Sequence, residues 1–198
     1  MIENLNKKLT TFVLVLISIF LIKNIFQSYK ETTSIIFTYP SENIDFAWEK
    51  LPDFKTNYLI KERFDKEFLN ISYNFYQFFL YVKRLPLYMP FIEENLEKNN
   101  VPLDFKYLPI AESALKEDVV SGAWAAWIWQ FMPETAREYW LIVNSEIDER
   151  YHFEKSTIAA IKYLNYLHTI FKNRTLVAAS YNRWQNGIKN ALKDQEVT

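Results

Sequence analysis

Glu112 is the first residue whose setting invites chemistry. Leu108 precedes it by four residues and Leu115 follows it by three, offsets that share a helix face. The spacing predicts a carboxyl projecting from an otherwise apolar face. A carboxyl held there is desolvated, so its pKa rises and it stays protonated as a general acid. The same spacing fits a boundary glutamate that snorkels or pairs with an arginine. A second segment, residues 121–133, reads SGAWAAWIWQFMP and sets small residues beside tryptophans before the amide of Gln130. Aromatic faces with an amide suit a sugar, whose flat apolar faces alternate with hydroxyls. A hydrophobic loop folded into a core reads the same way. A third, residues 178–182, reads AASYN. Its small residues allow close helix packing before the hydroxyl of Tyr181 and the amide of Asn182, a pair that also serves as a plain cap. No glycine-rich phosphate loop, GxSxG elbow or HExxH pair occurs in the chain.

The composition narrows the chemistry further. The chain has 198 residues, 49% hydrophobic and 24% charged, which suits one folded domain with a short appendage. Lys and Arg total 23 against 24 Asp and Glu, a net charge of -1, so the basic footprint of a nucleic-acid partner is missing. There is no cysteine and there are two histidines, His152 and His168. Disulfides, thiolate nucleophiles, cysteine zinc sites and an N-terminal lipidated cysteine are excluded, and a His-rich metal site is disfavoured. Neither a metal nor an organic cofactor is expected. Two glycines stand against six tryptophans, although average usage of about 7% glycine would give a dozen or so.

The elements that must position these residues read as mainly α. Residues 12–22, FVLVLISIFLI, follow Lys7 and Lys8, the layout of an export signal. Residues 1–26 are expected to be a signal anchor or signal peptide that places the rest in the cell envelope or periplasm, against the cytoplasmic membrane. Residues 27–53 read as a linker and 54–100 as a helical N-terminal part. Phe68, Ile71, Phe75, Phe78 and Val82 recur at alternating steps of three and four, which predicts one buried helix face. Pro86 and Pro90 punctuate, with a short helix over 91–98. Helices are expected over 104–116, 133–140, 154–171 and 175–182, with a last one reaching Leu192 and an irregular stretch over 117–132.

In order and spacing, these segments resemble the lytic murein transglycosylases of the soluble-lytic-transglycosylase (SLT) superfamily, in particular the membrane-bound D type. The resemblance runs from about Ile44 to Ala191. It is carried by FKYLPIAESAL at 105–115, WQFMPETAREY at 129–139, VNSEIDER at 143–150, the EKST segment from 154 and AASYN at 178–182, with ERFDKEF and PFIEENLEKNNVP upstream. It implies a lysozyme-like helical domain over 101–198, with Glu112 as the catalytic residue of a Glu-Ser pair. Ser113, Gln130, Tyr181 and Asn182 are the implied glycan-binding residues. The implied reaction cleaves the bond between N-acetylmuramic acid and N-acetylglucosamine in peptidoglycan and forms a 1,6-anhydro sugar. A hydrolytic muramidase and a degenerate murein-binding protein are the alternatives.

Two departures from the family stand out. Trp48, Trp124, Trp127, Trp140 and Trp184 occupy places where the family has glycine, and Trp129 falls where it also has tryptophan. The expectation is that those five mark glycines whose UGA codon has been read as tryptophan. The rival is a true tryptophan-bearing chain with a partly plugged cleft. The family also continues beyond the Tyr-Asn motif, so the SLT domain is expected to be C-terminally truncated here.

Overall fold

The computed structural model describes residues 45–50, 58–116, 120–122, 124–183, 189–190 and 193. The expected signal segment, most of the linker, Trp184 and most of the last helix lie outside them. Among the described residues no helix is long and apolar enough to cross a membrane.

The architecture is helical, as the periodicity predicts. A two-stranded hairpin, β1 (Asp45–Phe46) and β2 (Glu49–Lys50), comes first, with Phe46 opposite Glu49. The linker expected over 27–53 is therefore structured at its end. Helices α1 (Tyr58–Tyr73) and α2 (Phe75–Lys98) follow. A 3₁₀ turn at Leu103–Tyr107 leads into the short α3 (Leu108–Ser113), and α4 is Pro133–Glu138. After a second 3₁₀ turn at Glu149–Tyr151 come α5 (Phe153–Phe171) and α6 (Arg174–Arg183).

Two expectations change. Helix α2 runs unbroken through Pro86 and Pro90. Each proline removes one amide donor, from the bonds to the carbonyls of Val82 and Pro86. Val82, Pro86 and Pro90 all reach the surface, where solvent access lowers the cost of a carbonyl without an amide partner. The predicted apolar stripe is also not a buried face. Ile71 and Val82 are 66% and 48% exposed, and no described side chain between 58 and 87 is buried.

Apart from Ala47 in the hairpin turn, the described core begins at Tyr88. Ile92 and Leu96 on α2, Ile161, Leu164 and Leu167 on α5, Val177 on α6 and Phe105 are all buried. Tyr88 and Phe91 on α2 meet the Phe153 ring at the start of α5, at 5.1 and 5.3 Å between centroids. Helix α5 is the central strut. Its buried positions 156, 157, 159, 160, 161, 163, 164 and 167 wrap more than one face, because α2 packs on one side and α6 with the 126–131 loop on the other.

Candidate active site

Glu112 lies near the end of α3, which starts with Pro109 in its first turn, where a missing amide costs nothing. The helix stops at Ser113 because Ala114 and Leu115 take left-handed conformations, at φ 57° and 55°. The Arg84 guanidinium on α2 donates to the Ala114 carbonyl at 2.9 Å and anchors this end. Leu115 is therefore not one turn above Glu112 on a common helix face, as the spacing suggested. It folds back into the core, 1% exposed, while Glu112 stays half-buried.

Ser113 is buried, and its Oγ sits 3.0 Å from the carbonyls of both Pro109 and Ile128. The first contact is the usual back-bond of a helical serine. The second ties the Glu112 helix to the loop that carries Gln130. Its hydroxyl is thus engaged inside the protein.

That loop is a closed device. Ala126 pairs with Phe131 and its amide donates to the Phe131 carbonyl at 3.1 Å. The Gln130 amide and side-chain Nε2 both donate to the Trp127 carbonyl, at 3.2 and 2.7 Å. The Tyr181 hydroxyl donates to the Trp129 carbonyl at 3.0 Å. Trp129 itself is core, 1% exposed, and its Nε1 donates to Thr157 Oγ1 at 2.9 Å. The indole of Trp129 is therefore not a sugar-stacking surface, and the hydrophobic-loop reading of this segment holds at that position.

Tyr181 projects from α6 into an aromatic cluster with Tyr163, Phe131 and Trp129, at 5.3, 6.3 and 6.4 Å between centroids. Burial pushes its hydroxyl well above the usual tyrosine value, and the Glu112 carboxylate nearby raises it further. Tyr181 is thus held as the neutral phenol that donates to the Trp129 carbonyl. Burial likewise pushes Tyr163 up to about 12. Asn182 follows Tyr181 on α6. Trp48 sits in the β1–β2 turn, Trp124 and Trp127 lie on the loop, and Trp140 follows α4.

Residue spacing gave no role to Arg150, yet it organises the loop. Its buried guanidinium donates through Nη1 to the carbonyls of Trp124 and Phe131, at 2.6 and 3.0 Å. Nε and Nη2 grip the Asp148 carboxylate. Burial pushes the Asp148 pKa up, but the Arg150 hydrogen bonds outweigh it and hold the carboxyl below the usual value. Glu149 accepts from the Ile142 amide and from Lys155, and both lower its pKa. The Asp-Glu-Arg triplet was visible in the sequence, but the carbonyls it serves were not.

Glu49 on the hairpin was missed as well. Its carboxylate accepts from the amides of Arg174 and Thr175, the latter at 2.9 Å, and from the Thr175 hydroxyl at 3.0 Å. It caps the start of α6, the helix that carries Tyr181, from 125 residues away. Burial raises its pKa, and the two amides and the hydroxyl together bring it below the usual value. No group of acids, histidines or cysteines among the described residues has the makings of a metal site.

This combination is a helical domain with a carboxyl on a short helix and a pinned loop whose adjacent carbonyls bind Ser113 and Tyr181. The chain belongs to the transglycosylase SLT domain family, whose match covers residues 89–197. It is 36% identical over 107 residues to membrane-bound lytic murein transglycosylase D of Escherichia coli (strain K12), and equally to the same protein of Escherichia coli O6:H1. The aligned part is 54% of this chain and 24% of each relative, so the chain spans about a quarter of their length. A protein of Alteromonas sp. (strain M-1) named for tributyltin chloride resistance is 30% identical over 84 residues, 42% of this chain and 41% of that protein.

Proposed function

We propose that the protein is a peptidoglycan lytic transglycosylase in which Glu112 is the only catalytic carboxyl. The observation that carries the reading is membership of the SLT family, with half-buried Glu112 followed by Ser113, and Ser113 and Tyr181 bound to the adjacent Ile128 and Trp129 carbonyls of one loop.

In this reading Glu112 starts protonated and donates its proton to the oxygen linking N-acetylmuramic acid to N-acetylglucosamine. The C1–O bond breaks with its electron pair leaving on that oxygen. The positive charge at C1 is met inside the substrate by the N-acetyl carbonyl. Glu112, now ionised, takes the proton from the muramoyl 6-hydroxyl as its oxygen bonds to C1. A 1,6-anhydro end forms, no water is consumed and Glu112 is protonated again. An ordinary glycosidase needs a second carboxylate as nucleophile or base, whereas the 6-hydroxyl takes that part here.

Tyr181 and Ser113 act as positioning groups, since their hydroxyls are bound to the Trp129 and Ile128 carbonyls. Gln130 and Asn182 orient the glycan. Residues 1–26 hold the domain at the outer face of the cytoplasmic membrane. The test is product analysis on purified peptidoglycan. Anhydro-muropeptides are expected. New reducing ends would mean a hydrolase, and binding with no turnover would mean a murein-binding protein.

A further inference from the structure

Of the five described tryptophans, four have φ in the left-handed region: Trp48 at 70°, Trp124 at 69°, Trp127 at 61° and Trp140 at 71°. Only Trp129 does not. A positive φ is uncommon for any residue with a side chain and a true outlier for a bulky one, because Cβ crowds the backbone carbonyl. The described glycine, Gly122, does not have a positive φ. Ala47, Asn100, Ala114, Leu115, Gln130 and Lys172 also have positive φ, at 49–57°, whereas the four tryptophans reach 61–71° and carry the bulkiest side chain there.

At three of the four positions the hydrogen bonding defines the turn independently of the side chain; at Trp127 the positive φ alone carries the reading. Trp48 is the second of two residues joining β1 to β2, and both it and Ala47 have positive φ. That is the signature of the type I′ hairpin turn, whose second central residue is preferentially glycine. Trp140 follows α4 with a complete Schellman pattern: its amide donates to the Arg137 carbonyl at 3.1 Å and the Leu141 amide to the Ala136 carbonyl at 3.0 Å. The left-handed residue of that motif is usually glycine. The Trp124 amide donates back to the Ser121 carbonyl at 2.9 Å, while the Ser121 amide bonds the Ala125 carbonyl at 2.8 Å. It closes a three-residue hairpin loop at the position where a left-handed glycine belongs.

Three of the four side chains do little in return, while Trp127 is packed in the core at 6% exposed. The indoles of Trp48, Trp124 and Trp140 are 75%, 72% and 83% exposed. Trp48 has the Arg174 guanidinium 6.0 Å from its ring, and buried Trp127 meets the Phe153 ring edge-on at 6.1 Å. Trp129 is the contrast, being buried, hydrogen-bonded through Nε1 and free of a positive φ.

We infer that residues 48, 124, 127 and 140 are glycines in the protein made by its own cell, and that 129 is a true tryptophan. The chemistry fits a UGA codon decoded by a glycine-charged tRNA. UGA differs by one base from the glycine codon GGA and by one base from the tryptophan codon UGG, so one tRNA change is enough. The 13 tyrosines and 16 phenylalanines, whose codons are rich in A and U, match a genome in which such reassignment is tolerated.

Peptide mass spectrometry of the protein isolated from its source cells decides the matter without any activity measurement. Glycine at 48, 124, 127 and 140 with tryptophan at 129 is expected, and tryptophan at any of those four overturns the inference. The gene provides a second reading: UGA at the four and UGG at 129 are expected, and UGG at any of the four overturns it. As a physical check, the chain is expressed with tryptophans throughout and as the triple variant Trp48→Gly, Trp124→Gly, Trp140→Gly. Relief of three left-handed side chains raises Tm by roughly 5–10 °C. A glycine form that folds where the tryptophan form does not is the same result in stronger form. An unchanged or lower Tm overturns the claim that these turns are built for glycine.

Discussion

The helices carrying Glu112 and Tyr181 are two unrelated pieces of backbone joined to one loop. Ser113 Oγ holds the Ile128 carbonyl and Tyr181 Oη the adjacent Trp129 carbonyl. In the proposed mechanism Glu112→Gln keeps the shape of the side chain but cannot deliver or recover a proton. Release of anhydro-muropeptides should fall by at least about 10²–10⁴-fold, while pull-down with insoluble peptidoglycan stays unchanged. A Glu112→Gln variant that still turns over would remove Glu112 from the mechanism. Tyr181→Phe tests the other partner. It leaves the Trp129 carbonyl without its donor, and a buried acceptor stranded in this way costs about 1–3 kcal/mol, to be read from the urea midpoint. Anhydro product should fall with it.

At the scale of elements, two ionic clamps position the site from outside its own segments. Arg150 binds Asp148 on one side and the 124 and 131 carbonyls on the other. Its side chain is 7% exposed against 25% for Asp148. Arg150→Ala strands both carbonyls and a carboxylate, so a loss of about 3–5 kcal/mol in urea denaturation is expected, the range for breaking a buried pair from one side. Glu49 gives a prediction in pH. Its folded pKa lies below the unfolded value of 4.5, so its contribution is fully present above about 4.5 and is lost as pH falls through the lower folded value. Thermal melts of the unmodified protein should therefore fall below that point. Glu49→Gln should melt lower near neutral pH, by the equivalent of about 0.5–2 kcal/mol for a lost helix cap, and should show a shallower acid slope.

Over the whole molecule, stability is unevenly spread. The core takes in Ala47 of the hairpin and runs from Tyr88 to Val177, whereas α1 and the front of α2 expose Leu69, Ile71, Tyr73 and Tyr76. Regions with few buried contacts open locally at low cost. Amide hydrogen exchange should be fast over 58–82 and slowest at Ile92, Leu96, Ile161 and Leu164. Equal protection across both regions would contradict this division.

The helical class, the long α5 and the order of the site segments were legible in the chain alone, because the 3.6-residue period and the positions of proline act locally. Glu112, Gln130, Tyr181 and Asn182 stood out as chemistry-bearing for the same reason: their types and near neighbours are visible one turn at a time. The pattern did not reveal that the Phe68–Val82 stripe is left uncovered, since periodicity says which face is apolar and nothing about what covers it. Nor did it reveal that Leu115 leaves the helix, which depends on a left-handed stop held by Arg84 from α2. Glu49 at the head of α6 and Arg150 beneath the 124–131 loop were illegible for one physical cause. A charged side chain finds its carbonyl or amide partner through space, and those partners are backbone groups that nearly every residue carries, so the tertiary fold alone selects which of them it meets.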